Sequence, residues 1–159
     1  MVARLFIYCS ILIGMVFSIV QLPVGMPPEV GYVRPDWVAM VLIYWVIAAP
    51  DRFGLFTAWI VGIIMDVLVG GLIGQLALSY VVVTYIAANL YQRLRMFSIW
   101  QQAVVVFFIL VLSQIIGFWV ESVAGLSEWS FWYLLPAVTG SFLWPFVFLL
   151  LRYFRRRFI

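Results

Sequence analysis

The placement of charge constrains this chain most, because nearly every charged residue stands at the end of a long apolar run. The exception is Asp66, which lies inside the apolar run from Phe53 to Val69. An ionised carboxylate at that depth in a lipid-facing helix costs about 2.5–3.5 kcal/mol on insertion scales, so we expect it to have a partner within the protein. The pattern predicts membrane-spanning helices that bury one acid.

The composition excludes a water-soluble domain. Of the 159 residues, 67% are hydrophobic and only 9% are charged, and a body this small cannot bury so much apolar surface. A bilayer core needs roughly 20 apolar residues per helix, which leaves little chain for loops. We therefore predict an all-α integral membrane protein with a single polytopic domain over residues 1–159.

Turn-forming and charged residues divide the chain into six predicted transmembrane helices. The second spans only about 22 Å, less than the hydrocarbon core, so we expect it to lie among longer helices or in thinned bilayer. We expect the sixth to bend, because it carries Pro136, Gly140 and Pro145. The predicted helices run from about Arg4 to Leu22, Pro35 to Ala49, Phe53 to Val69, Gln75 to Tyr91, Ser98 to Val120 and Trp129 to Tyr153.

The arginines predict the orientation. If the N-terminus is cytoplasmic, Arg34 is the one arginine in an outer loop and the others are internal, which satisfies the positive-inside rule with both termini in the cytoplasm. The terminal basic cluster is expected to hold the C-terminus inside, with contact to anionic lipid as a second role. That cluster comprises Arg152, Arg155, Arg156 and Arg157.

Asp66 needs a cation, several hydrogen-bond donors or a proton. On this topology Arg34 is the outward-facing base, and Gln114 lies at a comparable depth on the fifth helix. We predict a polar cluster in which Arg34, Gln75 or Gln114 holds Asp66. A role in proton or cation transport is a minority alternative, because a relay usually shows several titratable groups at staggered depths.

Small residues recur every four positions around Asp66, at Ala58, Gly62, Gly70 and Gly74. Such a stripe lets another helix approach closely. Packing within the chain is favoured over binding of a separate partner, since small-residue spacings are frequent in membrane helices. The bent sixth helix offers a second packing or partner surface.

Catalytic chemistry is not indicated. The chain has no histidine and a single cysteine, and it lacks both a zinc-protease HExxH motif and a phosphate-binding GxxxxGK loop. No spacing of acids predicts a metal or cofactor site. The basic residues are arginines at membrane boundaries, which argues against nucleic acid as a partner.

Several blocks in order make the chain resemble the rod shape-determining MreD family over nearly its whole length. The blocks begin the second helix, end it, surround Asp66, open the fifth helix and interrupt the sixth. They are Val33-Arg34-Pro35-Asp36-Trp37, Tyr44-Trp45-Val46-Ile47-Ala48-Ala49-Pro50, Gly62-Ile-Ile-Met-Asp66 with Gly70 and Gly74, Trp100-Gln101-Gln102-Ala103, and Leu143-Trp144-Pro145.

The resemblance implies a noncatalytic scaffold in the bacterial inner membrane that maintains cell shape. Members of this family associate with MreC, a single-span protein, and with MreB, RodA and its partner transpeptidase; a homodimer is left open. The family is also similar in architecture to the substrate-binding subunits of energy-coupling-factor transporters. The alternative is therefore a transporter subunit, which should enclose a polar pocket of a few hundred cubic ångströms.

Overall fold

The structure, a computed structural model, describes residues 2–19, 37–48, 54–69, 74–123, 125 and 135–158. These residues form six helices and no strand, which confirms the all-α prediction. Trp37 and Gln75 begin helices at or near the predicted positions. The helices are α1 (Val2–Ile19), α2 (Trp37–Ala48), α3 (Leu55–Val69), α4 (Gln75–Met96), α5 (Ile99–Val123) and α6 (Leu135–Phe158).

The short helix α2 forms the centre of the molecule. Every residue from Val38 to Ile47 is buried, as expected for a helix that is apolar on all sides. Its 12 residues extend about 18 Å, which is less than the thickness of a bilayer core. The expectation that this helix lies among longer ones is confirmed.

Helices α1, α4 and α6 pack directly against α2. Helix α3 packs along α4 and touches α1, while α5 fills the space between α4 and α6. The Nε1 of Trp45 on α2 donates a 2.7 Å hydrogen bond to the hydroxyl of Ser10 on α1. That hydroxyl in turn donates to the carbonyl oxygen of Ile7 at 2.7 Å, so the buried polar atoms between α1 and α2 satisfy one another.

The outer surface of the bundle is apolar. Among the described residues, two helical segments are long and apolar enough to cross a membrane, Ile99–Val120 and Ala137–Arg157, and three shorter apolar ones accompany them. Large apolar side chains are exposed along five helices, with α2 the buried exception, as expected for helices that face lipid. They include Leu5, Leu12 and Val16 on α1, Phe56, Trp59 and Val67 on α3, Trp100, Phe108 and Trp119 on α5, and Phe142 and Phe146 on α6.

Helix α4 continues past its predicted end. The sequence suggested a stop near Tyr91, but the helix runs to Met96 and includes Arg93 and Arg95 in its last turn. Basic side chains are favourable there because the last turn of a helix carries partial negative charge. The Nε of Arg95 also donates at 2.7 Å to the carbonyl oxygen of Ile47, near the C-terminus of α2.

Gly62 fixes how closely α3 and α4 approach. A Cβ atom at this position would stand 2.3 Å from the Cα of Ala77, which is backbone of the neighbouring helix and cannot rotate away. The absence of a side chain at Gly62 is therefore a requirement of the α3–α4 contact.

We expect Gly62→Ala to lower the free energy of unfolding by about 1–3 kcal/mol, the usual cost of overpacking. Helix propensity alone predicts the opposite sign, since alanine is the better helix former. Thermal unfolding in detergent measures the effect. The control is Gly54→Ala, because a Cβ at Gly54 meets nothing within 4 Å; equal melting temperatures for the two variants would contradict the proposed contact.

Candidate functional site

Asp66 belongs to α3, and its side chain contacts the first turn of α4. Its side chain is 1% exposed, and its two carboxylate oxygens accept hydrogen bonds from three backbone amides. Oδ2 accepts from the amides of Gly74 at 2.9 Å and Ala77 at 3.4 Å, and Oδ1 accepts from the amide of Leu76 at 3.0 Å. The acid of one helix thus caps the N-terminus of the next.

Local sequence explains this arrangement. Gly74 has a φ of 102°, a conformation that glycine adopts without strain, and it has no side chain with which to cap α4. The first amides of a helix have no partner within it, and they carry partial positive charge. The carboxylate of Asp66 on α3 accepts hydrogen bonds from these amides and complements their positive charge. It can reach them because α3 and α4 approach closely at Gly62, one turn before Asp66.

The three residues predicted as partners of Asp66 lie in different parts of the chain. Gln75 belongs to the same turn, and its Nε2 donates at 3.2 Å to the carbonyl oxygen of Gly117 on α5. Gln114 is half-buried on α5, and Arg34 lies outside the described residues. The involvement of these three side chains with Asp66 stays a prediction.

The backbone amides were missed because sequence patterns name side chains, not main-chain groups. One signal was present: the acid stands eight residues before Gly74, which directly precedes the start of the predicted fourth helix. A carboxylate placed there is favourable next to the positive end of the new helix.

Part of the small-residue stripe faces into the protein. Ala58 is fully buried, and Gly62 packs against α4. Gly70 lies outside the described residues. On α6, Gly140 is buried and Pro145 lies half-buried inside the helix, while the bend expected from Pro136, Gly140 and Pro145 stays a prediction.

An apolar groove runs between α1 and α6, with α2 as its floor. Its volume is about 550 Å³. The two helices meet at one end of it, where the rings of Phe6 and Phe154 lie 6.4 Å apart between centroids. Besides these two, the lining side chains include Cys9, Ile13 and Phe17 on α1, Trp37 and Val41 on α2, and Leu143, Phe146, Val147 and Leu150 on α6.

A second cavity of about 410 Å³ lies at the opposite end of the molecule from Asp66. Arg95, Arg152 and Arg155 line it together with Tyr44 and Gln102. The sequence places Arg152 and Arg155 in the terminal basic cluster, but their proximity to Arg95 depends on the packing of α4 against α2. Among the described residues, no group of three or more potential metal ligands occurs.

Comparison with known proteins gives one consistent result. A family model of the rod shape-determining protein MreD matches residues 1–154. The rod shape-determining protein MreD of Haemophilus influenzae is 32% identical over 133 residues, which cover 82% of this chain and 82% of that protein. No solved structure matches the chain significantly.

We expect Asp66→Asn to lower the free energy of unfolding by about 1–3 kcal/mol, because the amide group of asparagine turns an N–H toward at least one backbone N–H of α4. Thermal unfolding in detergent measures the loss, and amide exchange should accelerate at Gly74, Leu76 and Ala77. The control is Asn89→Ala on the exposed face of α4, where the hydrogen bond to the carbonyl oxygen of Tyr85 lies at the surface of the bundle. Unchanged amide exchange in Asp66→Asn would refute the capping role.

Proposed function

The chain belongs to the rod shape-determining MreD family, and on that premise we propose that it is a noncatalytic scaffold of the bacterial cell-elongation machinery. The single observation that carries this proposal is the apolar groove between α1 and α6. We propose that the transmembrane helix of MreC lies in it. MreB, RodA and its partner transpeptidase would then join through this complex.

The dimensions of the groove support a helix as its occupant. Its lining on α1 extends from Phe6 to Phe17, which corresponds to about 16 Å, or three helical turns. The lining is almost wholly apolar, so a helix seated there exchanges lipid contacts for protein contacts, with packing as the driving force. The ring of Phe146, 73% exposed, projects at its edge.

The stripe on α3 is less suitable for a partner. The face that carries Ala58, Gly62 and Asp66 is already covered by α4, and a second helix cannot occupy the same contact. We propose that this stripe packs the chain against itself and that the partner surface involves α6.

We further propose that six helices span the inner membrane with both termini in the cytoplasm. The contacts support a common end for the described arginines: Arg95 reaches the end of α2, Arg152 and Arg155 line the same cavity, and Phe6 near Arg4 meets Phe154. One end of the bundle is therefore strongly basic, which favours the cytoplasmic side.

The alternative function, a substrate-binding subunit of a small-molecule transporter, is favoured by the polar cavity at the arginine end. That cavity is half open at the surface, whereas most small-molecule sites enclose their ligand. Retention of a stoichiometric metabolite through purification, with no associated single-span protein, would support the transporter over the scaffold.

Photo-crosslinking tests the groove. With benzoylphenylalanine in place of Phe146, we expect a crosslink to MreC in cells, because this position borders the groove on α6. The control places the same residue at Phe108, a phenylalanine on α5 that is similarly exposed at 64%. It should give no crosslink to MreC.

Crosslinking from position 108 but not from 146 would contradict the groove as the docking surface. Crosslinking from neither position, with both variants inserted and stable, would contradict helix docking on α5 and α6 together. Membrane abundance of each variant has to be equal for the comparison to hold.

Reporter fusions test the proposed topology. A green fluorescent protein fused after residue 159 should fluoresce, while alkaline phosphatase fused at the same point should be inactive, because the basic end is retained in the cytoplasm. A phosphatase fusion between α5 and α6 should be active. The reverse pattern would refute the orientation.

A further inference from the structure

The cavity at the arginine end has an unusual balance of hydrogen-bonding groups. It lies where the C-terminal parts of α2, α4 and α6 meet the first turns of α5. Three arginines line it, and Phe148 and the end of α2 form its apolar wall. This balance depends on which donors and acceptors are already paired.

The acceptors of the cavity are occupied. The carbonyl oxygens of Ile47 and Ala48 accept from Arg95, at 2.7 and 3.4 Å. Gln102 is 3% exposed; its Oε1 accepts from the Nε1 of Trp144 at 3.4 Å, and its Nε2 donates to the carbonyl oxygen of Leu94 at 2.6 Å. These contacts hold Arg95 and Gln102 in place and occupy three oxygens of the cavity.

The donors of the cavity are in excess. None of the described residues accepts a hydrogen bond from Arg152, and the guanidinium of Arg155 lies 6.0 Å from the centre of the Tyr44 ring. The hydroxyl of Tyr44, in a side chain only 1% exposed, has no hydrogen-bond partner among the described residues. Tyr44, Arg152 and Arg155 line the same cavity.

Negative charge is missing from the described surroundings. Asp66 is the one acid whose side chain the structure describes, and its oxygens are bonded at the opposite end of the bundle. A buried hydroxyl without a partner and converging cations without an anion each cost free energy. A single ligand with several acceptor oxygens would satisfy both.

We propose that this cavity binds a phosphate group, held by Arg152 and Arg155 and by the hydroxyl of Tyr44, with Arg95 at its edge. Planar guanidinium groups match phosphate oxygens in paired hydrogen bonds, which makes arginine the usual residue for such ligands. The phosphate is that of an anionic lipid headgroup or a free phosphate. Basic pockets between helices at the cytoplasmic surface are typical lipid headgroup sites.

The experiment uses the full chain purified in a neutral detergent, with native mass spectrometry as the readout. Phosphatidylglycerol and phosphatidylcholine are titrated separately, and inorganic phosphate is added as a competitor. We expect phosphatidylglycerol to bind in preference to phosphatidylcholine. Failure of the scaffold proposal would not alter this result, because no partner protein is present.

Two variants test the residues. Arg152→Gln should weaken phosphatidylglycerol binding at least tenfold, because it removes a charge-assisted contact. Tyr44→Phe should weaken it severalfold without changing net charge, and should not lower the melting temperature, since the lost hydroxyl has no described partner. A loss of phosphatidylglycerol affinity in Tyr44→Phe would indicate a specific site, because general attraction between surface charges does not depend on this hydroxyl.

The matched controls are Arg157→Gln and Tyr85→Phe. Arg157 is exposed, bonds to Tyr153 and does not line the cavity, so its loss should weaken binding no more than the fivefold expected of general surface attraction. Tyr85 is exposed on α4, and Tyr85→Phe should have no effect.

The outcomes are distinct. If millimolar inorganic phosphate displaces the lipid, the ligand is free phosphate and the site is supported. If phosphate does not displace the lipid, the ligand is the lipid headgroup and the site is also supported. Equal binding by wild type, Arg152→Gln and Tyr44→Phe would overturn the proposal, as would equal losses in Arg152→Gln and Arg157→Gln.

Asp51 provides a final test, since it follows α2 closely in the sequence and lies outside the described residues. If phosphatidylglycerol and phosphate bind only in Asp51→Asn, the arginines serve as partners of that acid and the proposal is wrong. Binding of an acidic peptide, with neither lipid nor phosphate bound, would likewise overturn it in favour of a protein partner.

Discussion

The arrangement of the helices depends on the hydrogen bonds that the first backbone amides of α4 donate to the carboxylate of Asp66. In a bilayer, water does not satisfy the open ends of a helix, so another part of the protein has to do so. Asp66 performs this for the start of α4, and Gln102 and Arg95 bond to carbonyl oxygens near the ends of α4 and α2. Polar side chains thus appear where helix ends would otherwise be unpaired.

These end contacts set the packing between helices. Asp66 reaches α4 only because Gly62, one turn earlier, lets the two backbones come together. At the other end, Arg95 ties α4 to α2, a helix too short to span the membrane alone. Hence α4 is held to α3 at its beginning and to α2 at its end, and α5 and α6 pack around this unit.

Much of this fold follows from apolar runs and their interruptions, because lipid allows few alternatives to the helix. The short, wholly apolar run of the second helix predicted that this helix is buried. The position of Asp66 inside an apolar run predicted that its carboxylate has a partner within the protein. The identity of that partner did not follow from the sequence, because every residue except proline has a backbone amide and a residue pattern does not distinguish one amide from another. The arginine cavity was also beyond prediction: Arg95 was assigned to a loop, whereas the helix carries it to a position next to α2. Periodicity locates helix faces, but contacts between distant helix ends depend on packing angles.

Helix α6 connects the two proposed sites. Val147, Leu150 and Phe154 face the groove, while Arg152 and Arg155, in the same turns, face the cavity. A rotation of α6 that changes the groove would therefore move the guanidinium groups as well. Two ligands that prefer the same rotation would strengthen each other's binding by equal factors, and ligands that prefer different rotations would compete. Such a scaffold would relate the binding of a partner helix to the binding of phosphate at the basic end, through one rigid element.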